Sequence, residues 1–449
     1  MISRRDLLKF SGLIGLAPQF TAFAQSRPEP DYRIEIAPVT LDLARHHTVK
    51  TVAYNGQVPG PLLRFKENQP VTIEVTNRTD RAEVVHWHGL FISPEVDGAI
   101  EEGTPAIAPQ SSARYTFTPR PSGFRWYHTH TMAMNDFTRA QYGGQHGFLM
   151  IEPRDNPARY DQEFFLALHD WSGYLLASDD GAMNPSYAVA TINGKAMGSG
   201  EPLRVKQGQH ILLHVLNSSP TEVHWIALAG HSLRVVALDG NSVPTSQTVS
   251  MLRLAPAERV CAVVEMNNPG VWVLGEVRKH VQALGMAIAV EYENQAGSPQ
   301  WQQPRDLIWT YEQFAGAPVT TDPAEPAIVV PLVFESKFQG HGAMERWMIN
   351  GASYPDARVA PLIRGRRYRL QFINHSADDH PVHLHRHSFE LRRLGAADGI
   401  RGIIKDVVLV DSQTRTEVEF TADNPGASLF HCHQQNHMDL GFMMLFDYA

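Results

Sequence analysis

The sequence predicts an all-β protein made of three β-sandwich domains in tandem. Three observations carry this. Short Val-, Ile-, Thr- and Leu-rich runs lie between Gly, Pro and Asn, with 33 Gly and 30 Pro in the chain, and stretches of helical period are hard to find. The length, 449 residues, is too great for one sandwich and suits three of about 140 residues each. The sequence also repeats itself three times at that scale.

The composition is globular, with 43% hydrophobic and 19% charged residues, so a sizeable core is expected and disorder is not. Residues 1–24 read as an export address. Ser3-Arg4-Arg5-Asp6-Leu7-Leu8-Lys9 is a twin-arginine pattern, followed by an apolar stretch from Phe10 to Phe23 that Pro18 interrupts. Ala22-Phe23-Ala24 offers small residues for cleavage before Gln25. The competing reading is an uncleaved amphipathic N-terminus. Export by the twin-arginine route implies a periplasmic or secreted protein, and the route carries folded proteins with cofactors already inside. No other segment approaches the length of a membrane span, so no integral membrane segment is expected. The net charge is −8, and it becomes more negative once Arg4, Arg5 and Lys9 are removed. Such an acidic chain is a poor partner for nucleic acid.

Each repeat opens with Asn-Gly, at Asn55-Gly56, Asn193-Gly194 and Asn350-Gly351. Asn-Gly supplies positive φ, so these are turns. A strand ending in Asn follows in each copy: Val71–Asn77 before His86, Ile211–Asn217 before His224, and Tyr368–Asn374 before His380. The three Asn also match a glycosylation sequon, but their recurrence at one place favours a turn role. Each copy closes on Gly and an extended run, reaching His128-Thr129-His130, Gly275-Glu276-Val277 or His431-Cys432-His433. The middle copy has lost its histidines there. A shared metal cluster is therefore expected where the first and third domains meet, with the second as a spacer.

Four segments carry the chemistry: His86-Trp87-His88, His128-Thr129-His130, His380-Pro381-Val382-His383-Leu384-His385, and His431-Cys432-His433 with His437. Residues i and i+2 of a strand share a face, so a His-x-His pair presents two imidazoles together. Imidazole suits copper, zinc, iron and nickel, and a lone pair of this kind could be a zinc site or surface histidines. Cys432 discriminates. It points opposite to His431 and His433, and with His380 and His437 it completes a His₂Cys set, the blue-copper arrangement. Its backbone then wires one site to the other. Of the two Cys, Cys432 is thus engaged and no disulfide is expected.

These segments resemble those of the three-domain multicopper oxidases, laccases and cuprous oxidases among them, from about Tyr32 to the C-terminus. The resemblance implies three cupredoxin-like Greek-key domains, at 30–155, 160–295 (without copper ligands) and 300–449 (with the type 1 copper). It implies four copper ions. His380, Cys432 and His437 would hold type 1. His86 and His383 would hold type 2. His88, His128, His130, His385, His431 and His433 would hold the type 3 pair. Every ligand position of the pattern is filled. Asp97 would assist proton delivery to reduced oxygen, against the plain alternative of a turn aspartate before Gly98; Cys432 and Asp97 are the candidate catalytic residues. Where many bacterial members have an axial Met, this chain has Phe442, followed by Met443 and Met444, and a one-residue shift could bring Met443 in. Where some carry an acid after the last type 1 histidine, Met438 stands.

The implied partners are O₂ and a small reducing substrate: a phenol, an aromatic amine or Cu(I). Met-rich insertions of the cuprous oxidases are reduced here to Met132 and Met134 and the group near the end, which favours a laccase-like oxidation of phenols or aromatic amines. The alternatives are a metallo-oxidase for copper tolerance and a non-catalytic copper-binding protein. Asp378 and Asp379 precede His380, either as solvated loop acids or as a substrate contact. A monomer is expected.

Overall fold

In a computed structural model of the chain, the described residues are 28–153, 160–178, 181–317, 327–358 and 361–449. The twin-arginine signal expected at residues 1–24 lies outside them.

The β-branched runs form strands, and the strands form three successive pairs of sheets. The first pair sets His47–Tyr54, Tyr32–Ala44, Val71–Asn77 and Ser112–Phe117 against Gly60–Lys66, His146–Glu152, Gly123–Thr129 and Val85–His88. The second pair has six and five strands, between Gln162–Ala177 and Ala287–Tyr292. In the third, the sheet around Arg367–Asn374 faces one ordered Val407–Val410, His380–Leu384, Ser428–Cys432, Met443–Phe446. Among the described residues no helix exceeds five residues, and none is long and apolar enough to cross a membrane.

The repeat is visible in hydrogen bonds. Each Asn-Gly turn has positive φ at both residues: 52° and 69° at Asn55-Gly56, 53° and 71° at Asn193-Gly194, 52° and 76° at Asn350-Gly351. Each Asn side chain then stitches a neighbouring strand. Asn55 accepts from the Glu35 N–H and donates to the Arg33 carbonyl, as Asn193 does with Ala167 and Phe165, and Asn350 with Val333 and Pro331. The second Asn of each repeat is buried. Asn77, Asn217 and Asn374 each accept an N–H two residues on and donate to two carbonyls across the turn. Sequestered in this way, they are turn residues and not glycan acceptors.

Alternation puts one face of Val71–Asn77 and Arg367–Asn374 inside, while the histidine-bearing strands Val85–His88, His380–Leu384 and Ser428–Cys432 are buried throughout. Phe124, Trp126 and Phe148 of the first sheet pair pack with Leu212, Cys261 and Val263 of the second and Val407 of the third. Each such side chain contributes roughly 1.5–3 kcal/mol, so this seam fixes the three pairs to one another around the histidine-bearing strands. Cys261 and Cys432 are both buried and free.

Strand register changes one alignment. Ile226 faces Glu276 as Val382 faces Cys432, and Val85 faces Thr129. His224 therefore takes the place of His380, and His86 that of His383. Chain order had matched His86 with His224 and His380; in register, the first-pair counterpart of His380 is Glu83.

Candidate metal centre

Among the described residues four buried donor sets are built from histidine and cysteine alone, and a fifth joins Asp97 to His86 and His385. His88, His128 and His433 converge; so do His130, His385 and His431; so do His86, His88 and His383; and His380, Cys432 and His437 stand apart as a fourth, the donor atoms of each set lying within 4.8 Å of one another. All ten histidines named from the sequence are drawn in, the first three sets holding eight and the last two. The strands carrying them pair directly, His86 opposite His128 and His383 opposite His431.

Hydrogen bonds fix which ring nitrogen is free. The Nδ1–H of His86 donates to the Asp97 carbonyl at 2.9 Å, His383 to the Asp406 carbonyl at 2.7 Å, His128 to the Thr129 carbonyl at 2.7 Å and His431 to the Cys432 carbonyl at 2.9 Å. His385 donates to Asp97 Oδ2 at 2.9 Å. Their Nε2 atoms face inwards. His88 is reversed: its Nε2 donates to Asp406 Oδ1 at 3.1 Å, leaving Nδ1 3.4 Å from His128 Nε2. His130 and His385 Nε2 lie 3.4 and 3.1 Å from His431 Nε2. Nitrogens sharing one tetrahedral ion at about 2.0 Å would sit about 3.3 Å apart. The Nε2 atoms of His86 and His383 and both ring nitrogens of His433 are buried without a protein hydrogen-bond partner. Burial, helped by the crowding of imidazoles, holds His88, His128, His385, His431 and His433 well below the usual histidine pKa and brings His130 to about 3. Neutral imidazoles converging at these distances could hold metal ions.

In the fourth set, Cys432 Sγ lies 3.7 Å from His380 Nδ1 and 3.6 Å from His437 Nδ1, and the two nitrogens are 3.1 Å apart. Ser376 Oγ meets His380 Nε2 at 2.7 Å and fixes its ring. Burial pushes the Cys432 thiol up, so a soft cation would be needed to hold it as thiolate. Phe442 lies on the Cys432 side, its ring stacked on His380 with centroids 4.8 Å apart and 18° between planes. Met443 pairs across from His431 and packs with Ala99, Leu429 and Met438. The register is thus unshifted and Met443 does not replace Phe442. His₂Cys with imidazole-only neighbours fits copper better than the harder divalent ions.

Asp97 is fully buried. Its carbonyl and Oδ2 both reach His86 Nδ1, and Oδ2 also takes the His385 N–H, so one acid holds a histidine from each half of the chain. Gly98, at φ 99°, makes this possible: a Cβ there would strike the Val85 carbonyl and His86 Cα. Asp379 is tied down by the Ser412 N–H at 2.7 Å and by Arg253 at 3.5 Å, whereas Asp378, 45% exposed, lies 3.7 Å from His437 Nε2.

Several residues escaped the sequence reading. Trp347 covers the fourth set, its ring 4.0 Å from that of His437. Glu102 stands 3.4 Å from His385 Nδ1, its carboxyl pushed up by burial and then by Asp97. Asp406 holds His88 and His383. The signal for Asp406 was present: Lys405-Asp406 interrupts the apolar run Ile403–Val410, and charges inside a buried strand need partners. Asp406 is paired with Arg259 from the second sheet pair, so the middle of the chain is more than a spacer.

Three family models, each described as multicopper oxidase, match residues 35–156, 163–294 and 330–449. The chain is similar to the multicopper oxidase MmcO of Mycobacterium tuberculosis, 28% identical over 98% of this chain and 92% of that one. It is 25% identical to laccase-2 of Trametes versicolor, over 98% of this chain and 93% of that one. The solved structure of a multicopper oxidase from Pseudomonas thermotolerans shares the fold, with a TM-score of 0.72 and 24% identity over 93% of this chain and 98% of that one.

Proposed function

The chain belongs to the multicopper oxidases, copper-dependent oxidoreductases with four copper ions, and from that membership we propose a laccase-like enzyme that oxidises phenols or aromatic amines one electron at a time. Bound copper supplies one-electron acceptance at the outer site and four-electron reduction of O₂ to water at the cluster. On this reading His380, Cys432 and His437 hold type 1 copper, His86 and His383 hold type 2, and His88, His128, His130, His385, His431 and His433 hold the type 3 pair.

The observation that carries the substrate class is Phe442 on His380. A thioether donor would favour the oxidised metal; a phenyl ring donates nothing, which would leave a fairly high potential suited to phenols. The residues then divide the work. Asp378 offers an exposed carboxylate at the His437 edge, where a substrate losing an electron must also lose a proton. The backbone of Cys432 joins the outer donor set to His431 and His433 covalently. Asp97 orients His86 and His385 and stands where it can pass a proton to oxygen being reduced. Trp347 and the surrounding core keep bulk water from the outer set.

We assign the domains to 30–155, 160–295 and 300–449, and the first 24 residues to a twin-arginine signal that delivers a folded, monomeric enzyme to the periplasm. One chain supplies every ligand, so no second copy is needed. Met132 and Met134, 45% and 49% exposed on the loop after His130, favour a second reading, oxidation of Cu(I), because thioethers suit that ion. The test is oxygen uptake by the copper-loaded protein with a phenol and then with Cu(I). Faster turnover of Cu(I) would replace the first reading by the second, and no blue colour after loading would sink both.

A further inference from the structure

Arg259 lies on the strand Arg259–Glu265 of the middle sheet pair, which contributes no ligand to any of the donor sets. It is fully buried. Its two terminal nitrogens reach the two oxygens of Asp406, Nη1 to Oδ1 and Nη2 to Oδ2, each at 2.6 Å. The same Asp406 Oδ1 accepts the Nε2–H of His88 at 3.1 Å, and the Asp406 carbonyl accepts the Nδ1–H of His383 at 2.7 Å. Arg125, from the first sheet pair, adds Nη1 to Oδ2 at 3.2 Å.

Arg259 is itself held. Nη1 donates to the Ala257 carbonyl at 3.0 Å, Nη2 to the Asp239 carbonyl at 3.2 Å, and its own N–H to Asp239 Oδ1 at 3.0 Å. The room for this pair comes from Gly89, directly after His88. A Cβ at Gly89 would lie 2.6 Å from Asp406 Oδ2 and 3.2 Å from Arg259 Nη2. The glycine of the His86-Trp87-His88-Gly89 segment is therefore shaped to admit a carboxylate–guanidinium pair brought from two other parts of the chain.

We propose that Arg259 is a positioning residue for the copper cluster, acting through Asp406 on His88 and His383. A guanidinium fork fixes both position and plane of a carboxylate, which a point charge cannot do. With the Asp406 plane fixed, His88 keeps its proton on Nε2 and presents Nδ1 to the metal, the reverse of the five histidines whose Nδ1–H is tied. The cluster geometry then depends on docking of the middle domain. This rests on the ligand assignment proposed above.

The test compares copper-loaded wild type with Arg259→Met, Arg259→Lys and Glu258→Gln. Glu258 belongs to the same charge network, through Lys405 at 3.0 Å, but does not touch Asp406. Copper per chain, type 1 absorption, type 3 absorption and the magnetic coupling of the type 3 pair are read for each. Arg259→Met should keep the type 1 colour, lose the coupled type 3 signature and hold cluster copper about 10-fold more weakly. Arg259→Lys should be impaired in the same direction, because the fork is gone although the charge remains. Glu258→Gln should lower thermal stability and leave the type 3 signature unchanged. If Arg259→Met and Arg259→Lys retain the wild-type signature and copper content, the proposal is overturned; should Arg259→Met not fold, Arg259→Lys decides. A wild type without any type 3 signature would instead overturn the ligand assignment.

Discussion

The ring of Phe442 stacks on the ring of His380, 4.8 Å between centroids and 18° between planes. Replacing it tests the electronic consequence directly. Phe442→Met should lower the type 1 potential and slow oxidation of the phenols hardest to oxidise, while the blue colour stays. The core cost should be roughly 1–2 kcal/mol, since a thioether fills most of the phenyl space. Redox titration of the blue band checks it. A potential that stays the same or rises would remove the argument for a high-potential site.

Asp97 joins His86 and His385 through one carboxylate and one carbonyl. Asp97→Asn keeps the carbonyl and one side-chain oxygen but removes the charge and the proton it could carry. Type 1 absorption should be unaffected, and reoxidation of the reduced enzyme by O₂ should slow by about 10- to 100-fold. Stopped-flow return of the blue colour measures this. Wild-type reoxidation would leave Asp97 with an orienting role alone.

Cys432 belongs to the outer set by its side chain and to the inner set by its neighbours. Cys432→Ser should abolish the blue colour and turnover while cluster copper is retained, because the histidines that Sγ reaches, His380 and His437, both belong to the outer set. Copper analysis with electron paramagnetic resonance checks it; loss of all copper would mean that the two sets cannot form independently.

That these His and Cys side chains would converge was legible because their signal is local: i, i+2 spacing in a strand and one Cys between two His. Asn-Gly turns and the three sandwiches were legible for the same reason, each being written within a few residues. The support around them was not. Arg259 and Asp406 are 147 positions apart, and Asp97 and His385 are 288 apart; such pairs are set by how the sheets dock. Trp347 reads in sequence as an ordinary strand residue of Arg346–Ile349. The alignment of His86 with His380 failed because register, which the sequence does not state, decides which residue faces Cys432.

That register also explains a buried ion pair in the middle domain. Where the third domain sets His380 beside Cys432, the second sets His224 beside Glu276, with Nδ1 to Oε2 at 3.0 Å. Asp170 Oδ2 takes the other ring nitrogen at 2.8 Å, and Arg278 steadies Glu276 at 3.0 Å. With a carboxylate on each nitrogen, no lone pair is left for a metal, and the ring is a charged strut. Burial works against its charge, but Asp170 and Glu276 raise His224 from 6.5 to about 9. Burial likewise opposes Glu276, yet His224 and Arg278 lower it from 4.5 to about 2.

The signs define a window. Because the folded pKa of His224 is raised, its stabilisation is complete below about pH 6.5 and is lost as pH rises through about 9. Because that of Glu276 is lowered, its stabilisation is complete above about pH 4.5 and is lost as pH falls through about 2. The pair therefore supports the fold most between about pH 4.5 and 6.5. His224→Gln should cost about 3 kcal/mol in that window and much less at pH 9.5, where the wild-type ring has lost its proton. Denaturant unfolding of the copper-free protein at pH 6 and pH 9.5 reads the difference without interference from metal binding. Equal losses at both pH values would show that His224 acts by shape rather than by charge.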